Sequence, residues 1–109
     1  MEFNFSDNKL RKLCTTYRLA QQALGELSAK KLSLRLQQIE AHDNELQLEL
    51  GNPHPLSGNR FGEFSLTLHG GCRLVFKPDH EPVPCHENGS IDWAMVTSVI
   101  IVFIGDYHD

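Results

Sequence analysis

The chain has 109 residues, of which 40% are hydrophobic and 22% charged, values typical of a globular protein that forms one domain over residues 1–109. Its formal net charge of −4 argues against a general nucleic-acid binder, and its longest apolar run, residues 99–104, is too short to span a bilayer. Three cysteines without regular spacing favour reduced thiols, and no signal peptide is recognisable, so we expect a cytoplasmic protein with no membrane contact.

The charge is unevenly distributed along the chain. Residues 1–50 hold seven Lys/Arg and seven Asp/Glu, whereas residues 51–109 hold three and seven. The three cations of the second half are Arg60, Arg73 and Lys77. Any contact that this half makes with phosphate would therefore depend on few positive charges.

The first half of the chain predicts a short strand and two helices. Apolar residues alternate over residues 1–5, which is typical of a strand, and Ser6 or Asp7 can cap the helix that follows. A second, longer helix is predicted over about residues 19–42. Glycine is unfavourable inside a helix, which leaves open a break at Gly25.

Three cations of the longer helix, Lys30, Lys31 and Arg35, lie away from its second apolar stripe. We predict that they form a solvated basic face, because charged side chains on a helix usually point to solvent. The alternative is a contact with RNA or with an acidic partner.

The second half contains a β-hairpin whose register the sequence predicts. Apolar and polar residues alternate over residues 63–68 and 72–77. A two-residue turn would mix the two faces, so we predict a three-residue loop over residues 69–71 with one glycine in the left-handed conformation. This register predicts the cross-strand pairs Leu68–Cys72, Thr67–Arg73, Leu66–Leu74, Phe64–Phe76 and Glu63–Lys77.

The remaining segments complete an α+β domain. Residues 43–50 predict a short strand or a last helical turn, residues 51–53 break it, and residues 78–90 predict a long exposed loop that Trp93 anchors. Residues 96–104 predict a central strand covered on both faces. The order of elements predicts two N-terminal helices packed on one face of a curved antiparallel β-sheet.

Several polar residues suit chemistry on a phosphodiester. His54 and His108 could exchange protons near neutral pH, while an arginine stabilises developing charge and Asp106 and Tyr107 lie beside His108. A metal site was weighed for Cys72, His80, Cys85 and His86, but their spacing matches no metal motif, and the glycines match no phosphate-binding loop. We therefore predict no metal and no cofactor.

The order of several short motifs resembles the HigB-type toxins of the RelE/ParE superfamily, in the branch labelled plasmid-maintenance killer proteins. Further matches lie in the N-terminal half and before the last strand. The matching segments are His54-Pro55-Leu56-x-Gly58-x-Arg60-x-Gly62, Phe64-Ser65-Leu66, Arg73-Leu74-Val75-Phe76, Asp106-Tyr107-His108, Asn8-Lys9-Leu10, Lys12-Leu13-Cys14, Ala29-Lys30-Lys31-Leu32 followed by Arg35-Leu36, and Gly89-x-Ile91-Asp92-Trp93.

The resemblance implies a RelE-like microbial ribonuclease fold and a type II toxin that cleaves translated mRNA on the ribosome and arrests growth. Its partners would be the ribosome, mRNA and a cognate antitoxin, of the helix-turn-helix HigA type. In the matching positions, His54 and His108 would be acid–base groups, Arg73 would stabilise charge, and Asp106 and Tyr107 would shape the site. The RNA backbone would be bound by Arg60, Lys77 and Ser57.

Two positions depart from the family pattern, which usually has Lys at Ser57 and Asp at Asn59. The lost lysine leaves open a second function, that of a catalytically weakened protein that keeps the toxin fold and acts by binding its antitoxin or another partner. A third reading is a gyrase-inhibiting toxin of the ParE type, although such toxins generally lack the His/Asp/Tyr set at the C-terminus.

Overall fold

The computed structural model describes residues 1–41, the backbone of residues 54–55, and residues 62–106. The predicted strand or helical turn over residues 43–50 and the break at residues 51–53 lie outside these ranges. In chain order the elements are β1 (Glu2–Phe5), α1 (Asn8–Thr15), α2 (Tyr17–Leu24), α3 (Glu26–Ala41), β2 (His54–Pro55), β3 (Phe64–Thr67), β4 (Arg73–Pro78), a 3₁₀ turn (Trp93–Met95) and β5 (Ser98–Gly105).

The helical part contains three helices rather than the two that the sequence predicts. Asp7 caps α1, since its Oδ1 accepts a hydrogen bond from the backbone N–H of Leu10 at 2.8 Å. Gly25 adopts φ +88° between α2 and α3, a conformation that other residues rarely take. The break at Gly25 thus divides the predicted long helix into two.

Within the described residues, the sheet has five strands in the order β1-β5-β4-β3-β2. Strands β2 to β5 pair antiparallel, whereas β1 runs parallel to β5, so the prediction of a wholly antiparallel sheet is wrong. The physical reason is the long connection between these two strands. A chain that passes through helices and further strands can return to lie beside its first strand in the same direction.

The predicted hairpin register is confirmed. Phe64 pairs with Phe76, Leu66 with Leu74 and Thr67 with Arg73. The loop over residues 69–71 is closed by a hydrogen bond from the N–H of Leu68 to the carbonyl of Cys72 at 2.9 Å. Gly70 has φ +62° and is the predicted left-handed glycine. The ladder ends at Phe64–Phe76, one residue short of the predicted Glu63–Lys77 pair.

The helices cover one face of the sheet. Leu66, Leu74 and Phe76 are completely buried and share one core with residues of α3. Strand β5 is central, between β1 and β4, as predicted. Val99 and Ile101 on its core face are buried, whereas its opposite face is only half-buried. The prediction of a strand covered on both faces is therefore correct for the core face alone.

Residues 79–92 form the predicted long loop, which contains only an isolated bridge between Cys85 and Ile91 and is largely exposed. Trp93 anchors its end, with its ring edge-on to Phe64 at a centroid distance of 4.9 Å. His80 holds the loop to β5, because its Nε2 accepts the backbone N–H groups of Thr97 at 3.1 Å and Ser98 at 3.3 Å. No helix in the described residues has the length and apolar character needed to cross a membrane.

The predicted basic face of α3 is correct for two of its three cations. Lys30 and Lys31 are exposed, and Lys30 lies 3.7 Å from Glu26. Arg35 is instead buried, with 6% of its surface exposed, so its predicted solvated position is wrong. The reason is its helical position: Arg35 shares a stripe with Ser28, Leu32 and Ile39, all of which face the sheet.

Candidate functional site

The turn between β3 and β4 brings two predicted site residues together. Arg73 opens β4 opposite Gly105 of β5, and its Nη1 donates to the carbonyls of Gly70 at 3.0 Å and Cys72 at 3.1 Å. Asp106 follows β5, and its carboxylate lies against Gly71, where an added Cβ would stand only 3.0 Å from the Asp106 Cγ. A guanidinium and a carboxylate therefore contact the same three-residue loop.

The charges of Arg73 and Asp106 both affect the pKa of the Cys72 thiol. Burial raises the pKa of Cys72, Arg73 lowers it, and Asp106 raises it. The net rise means that the thiol stays protonated near neutral pH, which does not suit a nucleophile. Cys72 thus belongs to the core side of the turn.

Along β3 and β4, the sheet face that carries Arg73 is buried in its middle and more exposed towards its ends. Ser65 and Val75 in its middle are completely buried, so Ser65 is not exposed for direct contact with a ligand. Arg73 and Thr67 at one end are half-buried, and Lys77 at the other end is exposed. By strand geometry the Cα atoms of Arg73 and Lys77 are about 13 Å apart.

His54 lies across the sheet from this row. Its backbone pairs with Ser65, which in turn pairs with Val75 of β4. Strand spacing and rise put the Cα atom of His54 about 12 Å from that of Arg73. A ligand could therefore contact both residues only if their side chains extend towards each other or if the ligand itself is several ångströms long.

The other predicted site residues lie outside the described part of the chain. They are Ser57, Arg60, Tyr107 and His108. Their roles therefore stay predictions, and only Arg73 and Asp106 are placed side by side.

Lys77 lines a groove of about 820 Å³ on the same face. The groove also contains the side chains of Glu63, Asp79 and Glu81, with Ile91 and Ile100 as part of its apolar wall. Carboxylates outnumber the single lysine, so the groove repels phosphate except directly beside Lys77.

The residues weighed for a metal do not gather in the described ranges, where no three His, Cys, Asp or Glu side chains form a metal-binding group. His80 also uses its Nε2 lone pair to accept backbone N–H groups, which removes that atom as a ligand.

Arg35 is the polar residue near the turn that the sequence prediction missed. Its Nε donates to the carbonyl of Thr67 at 3.0 Å, directly across the ladder from Arg73. The spacing from Ser28 through Leu32 to Ile39 is the signal that could have revealed it, because positions seven residues apart share a helix face.

Comparison with known proteins identifies the fold. The sequence matches no protein-family model and no curated protein. The structure resembles a chain of the YoeB–YefM complex from Staphylococcus aureus (TM-score 0.59, 19% identity, 98% of this chain and 97% of that one). It also resembles a YoeB/ParE toxin from Agrobacterium tumefaciens (0.59, 14%, 98% and 99%) and a YoeB dimer from Staphylococcus aureus (0.59, 20%, 98% and 97%). The chain therefore has the α+β fold of these toxins over nearly its whole length.

Proposed function

We propose that this chain is the toxin of a type II toxin–antitoxin system and cleaves translated mRNA on the ribosome. Two independent observations support this: the toxin-like fold, and the order of the motifs from His54 to His108. The observation that carries it is that Arg73 and Asp106 contact the same turn, and Asp106 comes immediately before Tyr107 and His108 in the sequence. The protein would act in the cytoplasm, as one toxin domain.

The proposed reaction is an in-line attack by the ribose 2′-hydroxyl on the adjacent phosphorus. One histidine, His54 or His108, accepts the 2′-hydroxyl proton, and the other donates a proton to the departing 5′-oxygen. The new bond between the 2′-oxygen and phosphorus gives a 2′,3′-cyclic phosphate as the bond to the 5′-oxygen breaks. Arg73 stabilises the charge that builds on the phosphate oxygens, while Asp106 and Tyr107 orient these groups.

The charge distribution supports dependence on the ribosome. Residues 62–106 contain two cations, Arg73 and Lys77, and six carboxylates. Affinity for free RNA depends on neutralising phosphates, so this segment would bind isolated RNA weakly even with the predicted contributions of Arg60 and Ser57. A ribosome that already holds the mRNA removes that requirement.

The proposed partner is a cognate antitoxin encoded beside this gene. One of the similar structures is a complex of YoeB with YefM, and by analogy this chain would be neutralised by direct binding. The sequence motifs favour a HigB-type toxin and a helix-turn-helix HigA-type antitoxin, whereas the similar structures are YoeB proteins. Copurification with the product of the adjacent gene, followed by its structure, tests the type of antitoxin.

The direct test is induction in growing bacteria with and without the Arg73→Ala substitution. Wild-type protein should arrest growth and cut translated transcripts, and Arg73→Ala and His108→Ala should each abolish both effects. Cleavage products should carry a cyclic phosphate. If induced wild-type protein accumulates in soluble form and leaves growth and mRNA intact, the ribonuclease proposal is wrong.

Ser57 supports a second candidate, a toxin-fold protein that has lost catalysis and acts by binding its partner. The discriminating variant is Ser57→Lys, which restores the cation usual in the family. A silent wild type that becomes toxic on this substitution would favour the binding protein. DNA damage signalling without mRNA cleavage would instead indicate a gyrase inhibitor of the ParE type.

A further inference from the structure

We infer that Arg35 and Ser28 of α3 are positioning residues that fix the turn over residues 69–71 and thereby place Arg73. As far as it concerns RNA cleavage, this inference rests on the proposed function. The geometry by itself assigns a local role to two buried polar residues, and that role can be measured without any cleavage assay.

Arg35 is buried in an otherwise apolar interface. Arg35 is 6% exposed, on a helix whose Leu32 and Leu36 are part of the core, and burial lowers the pKa of its guanidinium. Nε donates to the carbonyl of Thr67 at 3.0 Å, and Nη1 donates to Gln38 Oε1 at 3.2 Å. A charge at such a site is held by hydrogen bonds rather than by water.

The bond to Thr67 occurs where the sheet ladder ends. Strand β2 pairs with Phe64 and Ser65 and, within the described residues, goes no further along β3. Thr67 lies two residues beyond that pairing, and its carbonyl accepts a hydrogen bond from Arg35. Arg35 is thus bonded to the residue of β3 that pairs with Arg73.

Ser28 contacts the turn itself. It is 3% exposed, and its hydroxyl donates to the carbonyl of His69 at 3.4 Å. A side-chain hydrogen bond from Ser28 also lowers the pKa of the Cys72 thiol, against the larger effect of burial. The two residues lie seven positions apart on α3, so one helix face holds β3 before the turn and the turn itself.

Stability alone does not account for this pair. Burial of the guanidinium has a desolvation cost that offsets much of what its hydrogen bonds contribute, so the net gain in stability is small. What hydrogen bonds add to apolar contact is direction, because a donor and an acceptor fix one relative orientation. The consequence here is a fixed distance between α3 and the loop to which Arg73 Nη1 is bonded.

The test compares Arg35→Met with Lys31→Met, a matched change at an exposed position of the same helix. Arg35→Met should fold with a modestly lower melting temperature, because the carbonyl of Thr67 loses its donor. Amide hydrogen exchange at Leu68 and Cys72 should accelerate, while exchange at Val99 in the central strand stays at the wild-type rate. Ser28→Ala should accelerate exchange at Cys72 alone, which keeps the inference testable should Arg35→Met not fold.

The kinetic arm measures single-turnover cleavage of mRNA on programmed ribosomes. Arg35→Met should lower the maximal rate about 10-fold or more, since small displacements of a group at a reacting centre are costly, and leave the half-saturating ribosome concentration unchanged. Arg35→Lys, which retains one donor, should recover part of the rate. Lys31→Met should behave as wild type in both arms.

Two results would overturn the inference. One is wild-type exchange at Leu68 and Cys72 in Arg35→Met, and the other is acceleration spread evenly over the whole sheet, which indicates general destabilisation. If the wild type cleaves no RNA but the turn loosens selectively, the proposed function fails and the positioning role stands. If cleavage is normal in Arg35→Met, the positioning role fails and the proposed function stands.

Discussion

Alanine substitutions at two neighbouring glycines of the hairpin loop are expected to differ in effect: Gly71→Ala should lower activity, and Gly70→Ala should lower stability. At Gly71 an added methyl carbon would stand 3.0 Å from Asp106 Cγ and closer still to Oδ2, against an ordinary contact distance of at least 3.4 Å. The Asp106 side chain is exposed and must turn away. At Gly70 a methyl group meets nothing within 4 Å, but the backbone has φ +62°.

The magnitudes follow from these two environments. Gly71 lacks a positive φ, so alanine at this position stabilises the protein by about 0.4–1 kcal/mol through the lower entropy of the unfolded chain. This gain offsets the cost of moving the Asp106 carboxylate. The free energy of unfolding of Gly71→Ala should therefore stay within about 0.5 kcal/mol of wild type. Gly70→Ala should lose about 1 kcal/mol through left-handed strain. For a chain of this size that is a fall of about 4 °C in melting temperature.

Activity should follow the opposite order. Moving the Asp106 carboxylate by about an ångström should reduce ribosome-dependent cleavage about 10- to 100-fold in Gly71→Ala. Gly70→Ala leaves Asp106 untouched and should keep near wild-type cleavage below its melting temperature. Thermal unfolding of the two variants checks the predicted stabilities, and single-turnover cleavage checks the predicted activities. Wild-type cleavage by Gly71→Ala, or a larger loss of stability in Gly71→Ala than in Gly70→Ala, would refute the reasoning.

Three further predictions concern the scaffold. Asp7→Ala should lower the free energy of unfolding by about 1 kcal/mol, because it removes the N-cap bond of α1, as chemical denaturation would show. His80→Ala should cost about 1 kcal/mol in the same assay, because two backbone N–H groups at the start of β5 lose their acceptor, whereas His86→Ala at an exposed position should be silent. Burial raises the pKa of Cys14 to about 12, so the folded thiol stays protonated above pH 9 while the unfolded thiol ionises. The free energy of unfolding should therefore fall as the pH rises from 9 towards 12, and it should fall less in Cys14→Ala. At pH 8, iodoacetamide should label the exposed Cys85 well before Cys14. Equal labelling of the two thiols would contradict the burial of Cys14.

The hairpin shows how far local pattern determines structure. Alternation of Leu66 and Leu68 with polar neighbours, and of Leu74 and Phe76 on the next strand, requires a loop of three residues, and the structure has that loop. The same local chemistry predicts a cap at Ser6 or Asp7, of which Asp7 is the cap, and an exposed loop after β4, which begins at residue 79 rather than 78. In each case the deciding interactions lie within a few residues along the chain.

Arg35 shows where local pattern stops. The sequence puts an arginine among exposed lysines, and its burial depends on the carbonyl of Thr67, which lies 32 residues away. The parallel pairing of β1 with β5 depends in the same way on partners distant in the chain. Helical periodicity could have placed Arg35 on the buried face of α3, but it does not indicate which carbonyl Arg35 contacts or which strand pairs with β1.

The sequence by itself determined the α+β class, the hairpin register, the pairing of Thr67 with Arg73 and the motif order that resembles a toxin, because these depend on periodicity and turn chemistry. Only the tertiary structure decided that Asp106 meets the loop at Gly71, that Ser65 is buried, and that α3 holds the turn through Ser28 and Arg35. Those contacts join segments distant along the chain, and the packing of the whole domain brings them together.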